Sequence, residues 1–257
     1  MNAAVNYPRQ LMSKALTAIV VVAVIAAVWR LSIALFQPAA FLLPSPERVA
    51  GAIAGNAGYL ARNALVTLAE MLAGLTAGAL AGAAIAVVMA RSRLVERFVL
   101  PVIVTTQTLP VFAIAPLLVI WFGFGAGSKI VMATLIIFFP VASSFFDGLR
   151  RVNRDWLDLA QSWGASPAHR MLKVQIPAAL PSLASGLKIA ATLAPIGAIV
   201  GEWAGASAGL GYVMLQANAR MQTDLVFACV IVLAVLAWLL RAIVSVMLDR
   251  LVFWQGR

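Results

Sequence analysis

Charge is scarce in this chain. Only 11% of its 257 residues are Asp, Glu, Lys or Arg, and 63% are hydrophobic. Soluble domains run at about 25% charged and about 45–50% apolar. A chain this poor in charge cannot clothe itself in a polar surface, which excludes a soluble globular protein. Acidic residues are scarcest, 9 against 19 Lys and Arg, for a net charge of +10. Such a surplus would suggest nucleic acid if it formed a patch. Here it sits in short segments between apolar runs, the orientation signal of a membrane protein, and no nucleic-acid partner is expected. His169 is the only histidine, so one chain cannot build a His-based metal cluster. Cys229 is the only cysteine and lies in an apolar run, which excludes an internal disulfide. No nucleophile, base and metal ligand cluster together, so an integral membrane enzyme has nothing to build on. A nucleotide-binding loop is also missing. FGFGAGSK (122–129) comes nearest, but Ser128 separates Gly127 from Lys129, and apolar runs flank it instead of a strand and a helix. No ATP site, metal or cofactor is expected within the chain.

What is there is an all-α pattern of about six membrane spans, a polytopic helix bundle. The spans run over about 15–36, 63–90, 98–122, 130–148, 184–206 and 223–247. One transmembrane domain covers 1–257, with a core at 63–248 and a long loop at 149–185. The first apolar run is too long for a signal-peptide core and reads as a span. Arg30, in its last third, has a functional reading because charge in a span is costly, and a bland one as a snorkelling side chain. An amphipathic piece from Glu47 to about Arg62 follows. In span two, Gly74, Gly78 and Gly82 form a small-residue ridge, suited to packing within the subunit or to a dimer contact. Glu70, in the same span, should face protein or water. Span three holds Pro101, Pro110 and Pro116, with Thr105, Thr106, Gln107 and Thr108 around the first break. A helix both kinked and polar at mid-depth suits a solute pathway wall, and Gln107, Thr108 and Pro110 are its candidates. Ordinary interhelical hydrogen bonding is the alternative. Near the outer end of span five, Glu202 is a further pathway candidate, or else an interfacial anchor beside Trp203.

Six spans put both termini on one side. Of the 19 Lys and Arg residues, only Arg48, Arg62, Lys129 and Arg220 fall in outer segments, Arg30 lies in a span, and the rest fall on the side of the termini. The termini and the 149–185 loop are therefore expected in the cytoplasm, with the chain multi-pass in a bacterial inner membrane.

The longest break in the apolar sequence lies between spans four and five, from Asp155 to Lys188. Trp156, Leu159, Ala160 and Trp163 recur at helical spacing, and Gly164 then stops the helix. Ser166-Pro167 reads as an N-cap with proline at the first helical position, opening a second helix to about Val174 that ends before Pro177. A solvated interhelical loop is the bland reading.

Asp158-Leu159-Ala160, then Gly164, then Ile176-Pro177 and Pro181 resemble the EAA loop of ABC importer permeases: Glu-Ala-Ala, a glycine four residues on, and Leu-Pro about a dozen further. Asp158 replaces the glutamate, keeping its charge with a shorter reach, and Leu159 replaces the first alanine. The resemblance extends from about Leu42 to Trp254. It is carried by LLPSP (42–46), QTLPVFAIAPLLVIWFGFG (107–125), FFP (138–140), IPAALP (176–181) and GEWAGASAGLGYVM (201–214). These residues are similar to the binding-protein-dependent permeases that include sulfonate, taurine, nitrate and thiamine-precursor importers. The resemblance implies that Asp158, Leu159, Ala160, Trp163, Gly164, Ala165 and Pro177 belong to a coupling helix docked on an ATPase. It also implies two ATPase subunits, a second copy of this chain, and an external solute-binding protein. Hydrolysis would then be the partner's, driving alternating access. APIGAIVGEW (194–203) resembles members assigned to thiamine-precursor pyrimidines. An ion-driven carrier is the competing class. It usually shows internal repeats and mid-membrane ionisable residues, and no clear repeat is visible here.

Overall fold

The computed structural model describes residues 6–252, with side chains at Val20, Val21 and from Ala23 onward. The remaining terminal residues, including Arg257 and part of the N-terminal polar segment, lie outside the described residues, as do the side chains of Arg9 and Lys14. Helices α1 (Asn6–Phe36), α2 (Pro46–Gly55), α3 (Ala57–Arg91), α4 (Arg93–Thr106), α5 (Val111–Phe122) and α6 (Ala126–Arg150) lead to the loop region. There follow α7 (Arg154–Ser162), α8 (Pro167–Arg170), a π-helical turn (Met171–Gln175), α9 (Ile176–Gly205), α10 (Leu210–Ala219) and α11 (Thr223–Leu251). No strand occurs among the described residues.

Among the described residues, four helical stretches are long and apolar enough to cross a membrane: Ala57–Arg91, Ala126–Arg150, Pro167–Gly205 and Thr223–Leu251. The α4–α5 pair passes the same test jointly but is bent by 102°. α1 is 31 residues long, and its described apolar part runs over Ala23–Phe36. Each of the six expected spans thus coincides with a helix or with the bent pair.

The chain divides into two compact units. In the smaller (1–57 and 216–228), the Trp29 indole N–H donates to Pro44 O at 3.1 Å, and its ring lies 5.5 Å from that of Phe227. Thr223 Oγ1 donates to Phe41 O at 2.7 Å. Arg30 is exposed and pairs with Glu47 in the first turn of α2.

In the larger unit (58–215 and 229–257), α6 is the central helix. The glycine ridge of α3 lies against it. A Cβ on Gly74 would strike Ala133, one on Gly78 would strike Ile137, and one on Gly82 would meet Phe138 O at 2.9 Å. The ridge is thus an intrasubunit contact, and its rising numbers on both helices make α3 and α6 parallel. On the other side, Gly186, Gly197 and Gly201 of α9 meet Pro140, Ala133 and Lys129, so α9 runs antiparallel. Small residues on both flanks let backbones approach closely, which in lipid replaces the hydrophobic driving force with van der Waals contact. Met71, Ile137, Val141, Ala190, Ala194 and Leu240 fill the core between these helices.

Two expectations change. The helix opened by Ser166-Pro167 does not end before Pro177; it runs on through the π turn into α9. Ile176 N–H donates to Met171 O, five residues back. Pro177 follows directly, so the wide turn absorbs the proline that a tight helix would exclude. In span three only Pro110 breaks the chain, while Pro101 and Pro116 lie inside α4 and α5.

Candidate functional site

Three places gather polar chemistry. The first is the turn between α7 and α8. Asn153 caps α7 by accepting from Asp155 N–H at 2.9 Å. At the other end Gly164 adopts φ +77°. Its N–H donates to Gln161 O, and Ala165 N–H donates to Ala160 O, the paired bonds of a Schellman motif. Ser166 Oγ then accepts from His169 N–H at 3.3 Å. Arg170 ties the helices together by donating to Gln161 Oε1 at 2.6 Å. The result is a rigid corner with Trp156, Leu159 and Trp163 on one face of α7, exposed by 56%, 57% and 84%. Asp158 is exposed beside them and Ala160 is half-buried. A cleft of about 530 Å³ opens under the corner, lined by Trp163, Gly164, Ala165, His169 and Lys173 among others. Of the residues expected here, Pro177 alone stands apart, half-buried in the first turn of α9.

The second place is the bend between α4 and α5. Thr105, Thr106 and Thr108 donate their hydroxyls to Pro101 O, Ile103 O and Thr105 O, all within the same segment. They satisfy carbonyls at the broken end and do not bridge to other helices. Beside the bend lies a cavity of about 680 Å³ whose wall includes Thr106, Gln107, Phe138, Phe139, Ser143 and Ser144. Gln107 lines it; Thr108 and Pro110, exposed at the bend, do not.

The third place was missed from the sequence. Glu202, an expected pathway residue, is only 1% exposed and sits in a closed hydrogen-bonded cluster, while Trp203 beside it is 45% exposed. Thr67 Oγ1 donates to Glu202 Oε1 at 2.6 Å and accepts from Leu210 N–H at 2.8 Å. Glu202 Oε2 accepts from Gly211 N–H and, at 3.3 Å, from Tyr212 N–H. Asn63 Oδ1 accepts from Gly209 N–H at 2.9 Å. The orphan N–H groups that open α10 are thus capped by side chains of α3 and α9. Gly209, at φ +112°, has no room for a Cβ, which would fall on the Glu202 carboxylate. One turn along α3, Glu70 Oε1 pairs with Lys129 Nζ of α6 at 3.0 Å, with both side chains buried. Glu70 inside a span was a visible signal. Its partner was not, because Lys129 reads as the end of an outer loop.

Comparison with known proteins agrees with this architecture. Residues 74–255 match the family described as the binding-protein-dependent transport system inner membrane component. A probable ABC transporter permease protein of Haemophilus influenzae is 45% identical, over 91% of this chain and 96% of the relative. The formylaminopyrimidine transport permease protein ThiX of Halalkalibacterium halodurans is 35% identical, over 90% and 92%. Permeases named for riboflavin, aliphatic sulfonates and taurine are 33%, 30% and 33% identical. Among solved structures, the inward-facing MetNI methionine ABC transporter shares the fold with a TM-score of 0.66, at 20% identity, over 77% of this chain and 97% of that one. With the family covering its helical core and a permease aligned along nearly its whole length, this chain belongs to the inner membrane components of binding-protein-dependent transport systems, the permease subunits of ABC importers.

Proposed function

We propose that the chain works as one of two identical permeases in an ATP-driven importer, with a cytoplasmic ATPase pair beneath and a solute-binding protein outside. The observation that carries this reading is the α7–α8 corner. It projects two tryptophans and a leucine, each more than half exposed, on one face of a corner that hydrogen bonds hold in a fixed shape. An exposed apolar patch of this kind marks a protein contact. Asp158 beside it offers a carboxylate to a cationic group on the ATPase. Leu159, Ala160, Trp163, Gly164 and Ala165 supply the docking surface, and Pro177 transmits its motion into α9. The distribution of Lys and Arg supports a cytoplasmic position for this corner and both termini.

ATP binding would draw the two corners together, and α9 and α6, tightly packed on each other, would carry the movement to the bend beside Gln107. Thr108 and Pro110 then act as the hinge next to the path. A thiamine-precursor pyrimidine is the substrate favoured by the ThiX relative. A sulfonate, taurine or nitrate class is the second reading, in which the sulfonate and taurine members are favoured by relatives of those names. An ion-driven carrier has less support, since it leaves the exposed corner unused.

The test is co-purification. A tagged chain extracted from its membrane should bring down a soluble ATPase in stoichiometric amount, and Asp158→Lys should detach it. Losing one partner of a desolvated interfacial pair costs about 2–5 kcal/mol. Retention of the ATPase by Asp158→Lys, together with normal ATP-dependent uptake, would sink the coupling role.

A further inference from the structure

We propose that the cavity beside the α4–α5 bend admits a flat, uncharged, hydrogen-bonding solute and turns anions away, with Gln107 setting that selection; this deepens the permease reading and rests on it. None of the residues lining the cavity carries a charge. An anion entering it would shed water and find no cation in its place. α5 begins at Val111 on the wall, and a helix N-terminus carries about half a positive charge. That suits a carbonyl or a ring nitrogen but falls short of a full counter-charge. The polar groups present are neutral and of both kinds. Gln107 offers an amide donor and acceptor, and Ser143 and Ser144 offer hydroxyls. Thr106 spends its proton on Ile103 O, while Gln107, Ser143 and Ser144 make no side-chain hydrogen bond among the described residues. A lipid acyl chain would have no use for them.

Phe138 and Phe139 put two aromatic side chains on the same wall, where a planar ring could pack against them. The volume, about 680 Å³, is that of a small-molecule site. Together these features match a neutral aminopyrimidine-like heterocycle better than a sulfonate or nitrate. They separate the two substrate readings by a property of this chain's own residues.

Charge-selective thiol labelling tests this in membranes holding the assembled complex. In a Cys229→Ser background, Ser143→Cys places a thiol on the wall, and Ser162→Cys places one on the exposed end of α7 as control. Two methanethiosulfonates of similar size are compared, one with a neutral hydroxyethyl tail and one with a sulfonatoethyl tail. The neutral reagent should modify Ser143→Cys at least about tenfold faster relative to its advantage at Ser162→Cys. Adding Gln107→Lys should erase about tenfold of that ratio, as one charge in a site of low effective dielectric does. Excess 4-amino-5-hydroxymethyl-2-methylpyrimidine should slow the neutral reagent, and excess taurine should not.

Equal rates for the two reagents, an unchanged ratio in Gln107→Lys, or protection by taurine and not by the pyrimidine would each overturn the proposal. So would labelling in detergent that vanishes in native lipid, which would assign the cavity to an acyl chain. ATP-dependent uptake of any solute by the reconstituted complex reports on the permease reading separately, whichever way the labelling falls.

Discussion

Lys129 is 5% exposed and its single salt bridge is to Glu70, whose second carboxylate oxygen has no partner among the described residues. Such a pair adds little net stability, but breaking it from one side strands a buried charge. Lys129→Met should destabilise the purified protein by about 3–5 kcal/mol. Glu70→Leu combined with Lys129→Met should recover most of that loss, read as melting temperature in detergent. If the single and double variants melt alike, the pair is not coupled. Glu202 acts differently, as a cap. Its carboxylate receives the Thr67 hydroxyl and two N–H groups of α10, so Glu202→Ala leaves the Gly211 and Tyr212 N–H groups unmet, while the Thr67 hydroxyl can turn to Asn63 O. A loss of about 3 kcal/mol is expected, with hydrogen exchange rising first at 209–212. Unchanged protection there would show that α10 is held by packing alone.

Helices set the next scale. α6 is gripped by glycines from α3 on one flank and α9 on the other, and Ala133 touches Gly74 and Gly197 at once. Gly78→Leu would drive a side chain into Ile137 and force α3 and α6 apart. Overpacking of this kind costs about 1–3 kcal/mol. Cysteine cross-linking between α3 and α6 should weaken in that variant, and unaltered cross-linking would mean the helices can slide to accept the side chain. Gly164 has open space around it, so its requirement is conformational and not steric. Its φ of +77° costs a residue with a Cβ roughly 1–2 kcal/mol. Gly164→Val should therefore leave the membrane helices intact and re-aim α7. Normal monodispersity with lost solute-stimulated ATP hydrolysis is the expected pairing of results. Full stimulation would show that the corner tolerates being moved.

For the whole molecule, orientation is the consequential property. Lys129 is paired in the protein interior, which leaves Arg48, Arg62 and Arg220 as the exposed basic residues of the segments expected outside. The charge asymmetry is thus sharper than the sequence count implies. A reporter fused after Arg154 should read cytoplasmic, and one after Gly125 external. The reverse pattern would put the α7–α8 corner on the side without ATP and remove its proposed role. Native mass measurement of the assembled complex should find two copies of this chain. One copy, with no related permease beside it, would contradict the paired arrangement.

Part of this molecule follows from local rules alone. Apolar run length set the spans, because an unsatisfied backbone in lipid leaves helix as the available answer. The α7–α8 corner was equally legible, since Gly164, Ser166 and Pro167 each act on their own few residues. Tertiary structure decided the rest. Pro177 sits inside a helix because a π turn precedes it, and Pro101 and Pro116 fail to break theirs while Pro110 succeeds. Glu70 meets Lys129, and Glu202 caps α10, across separations that no spacing rule reaches. The cavity at Gln107 exists only where α3, α4, α5, α6 and α9 converge. Periodicity reports which face of a helix is apolar; which neighbour meets that face depends on how closely each backbone can approach, and here glycines on two helices made that choice around α6.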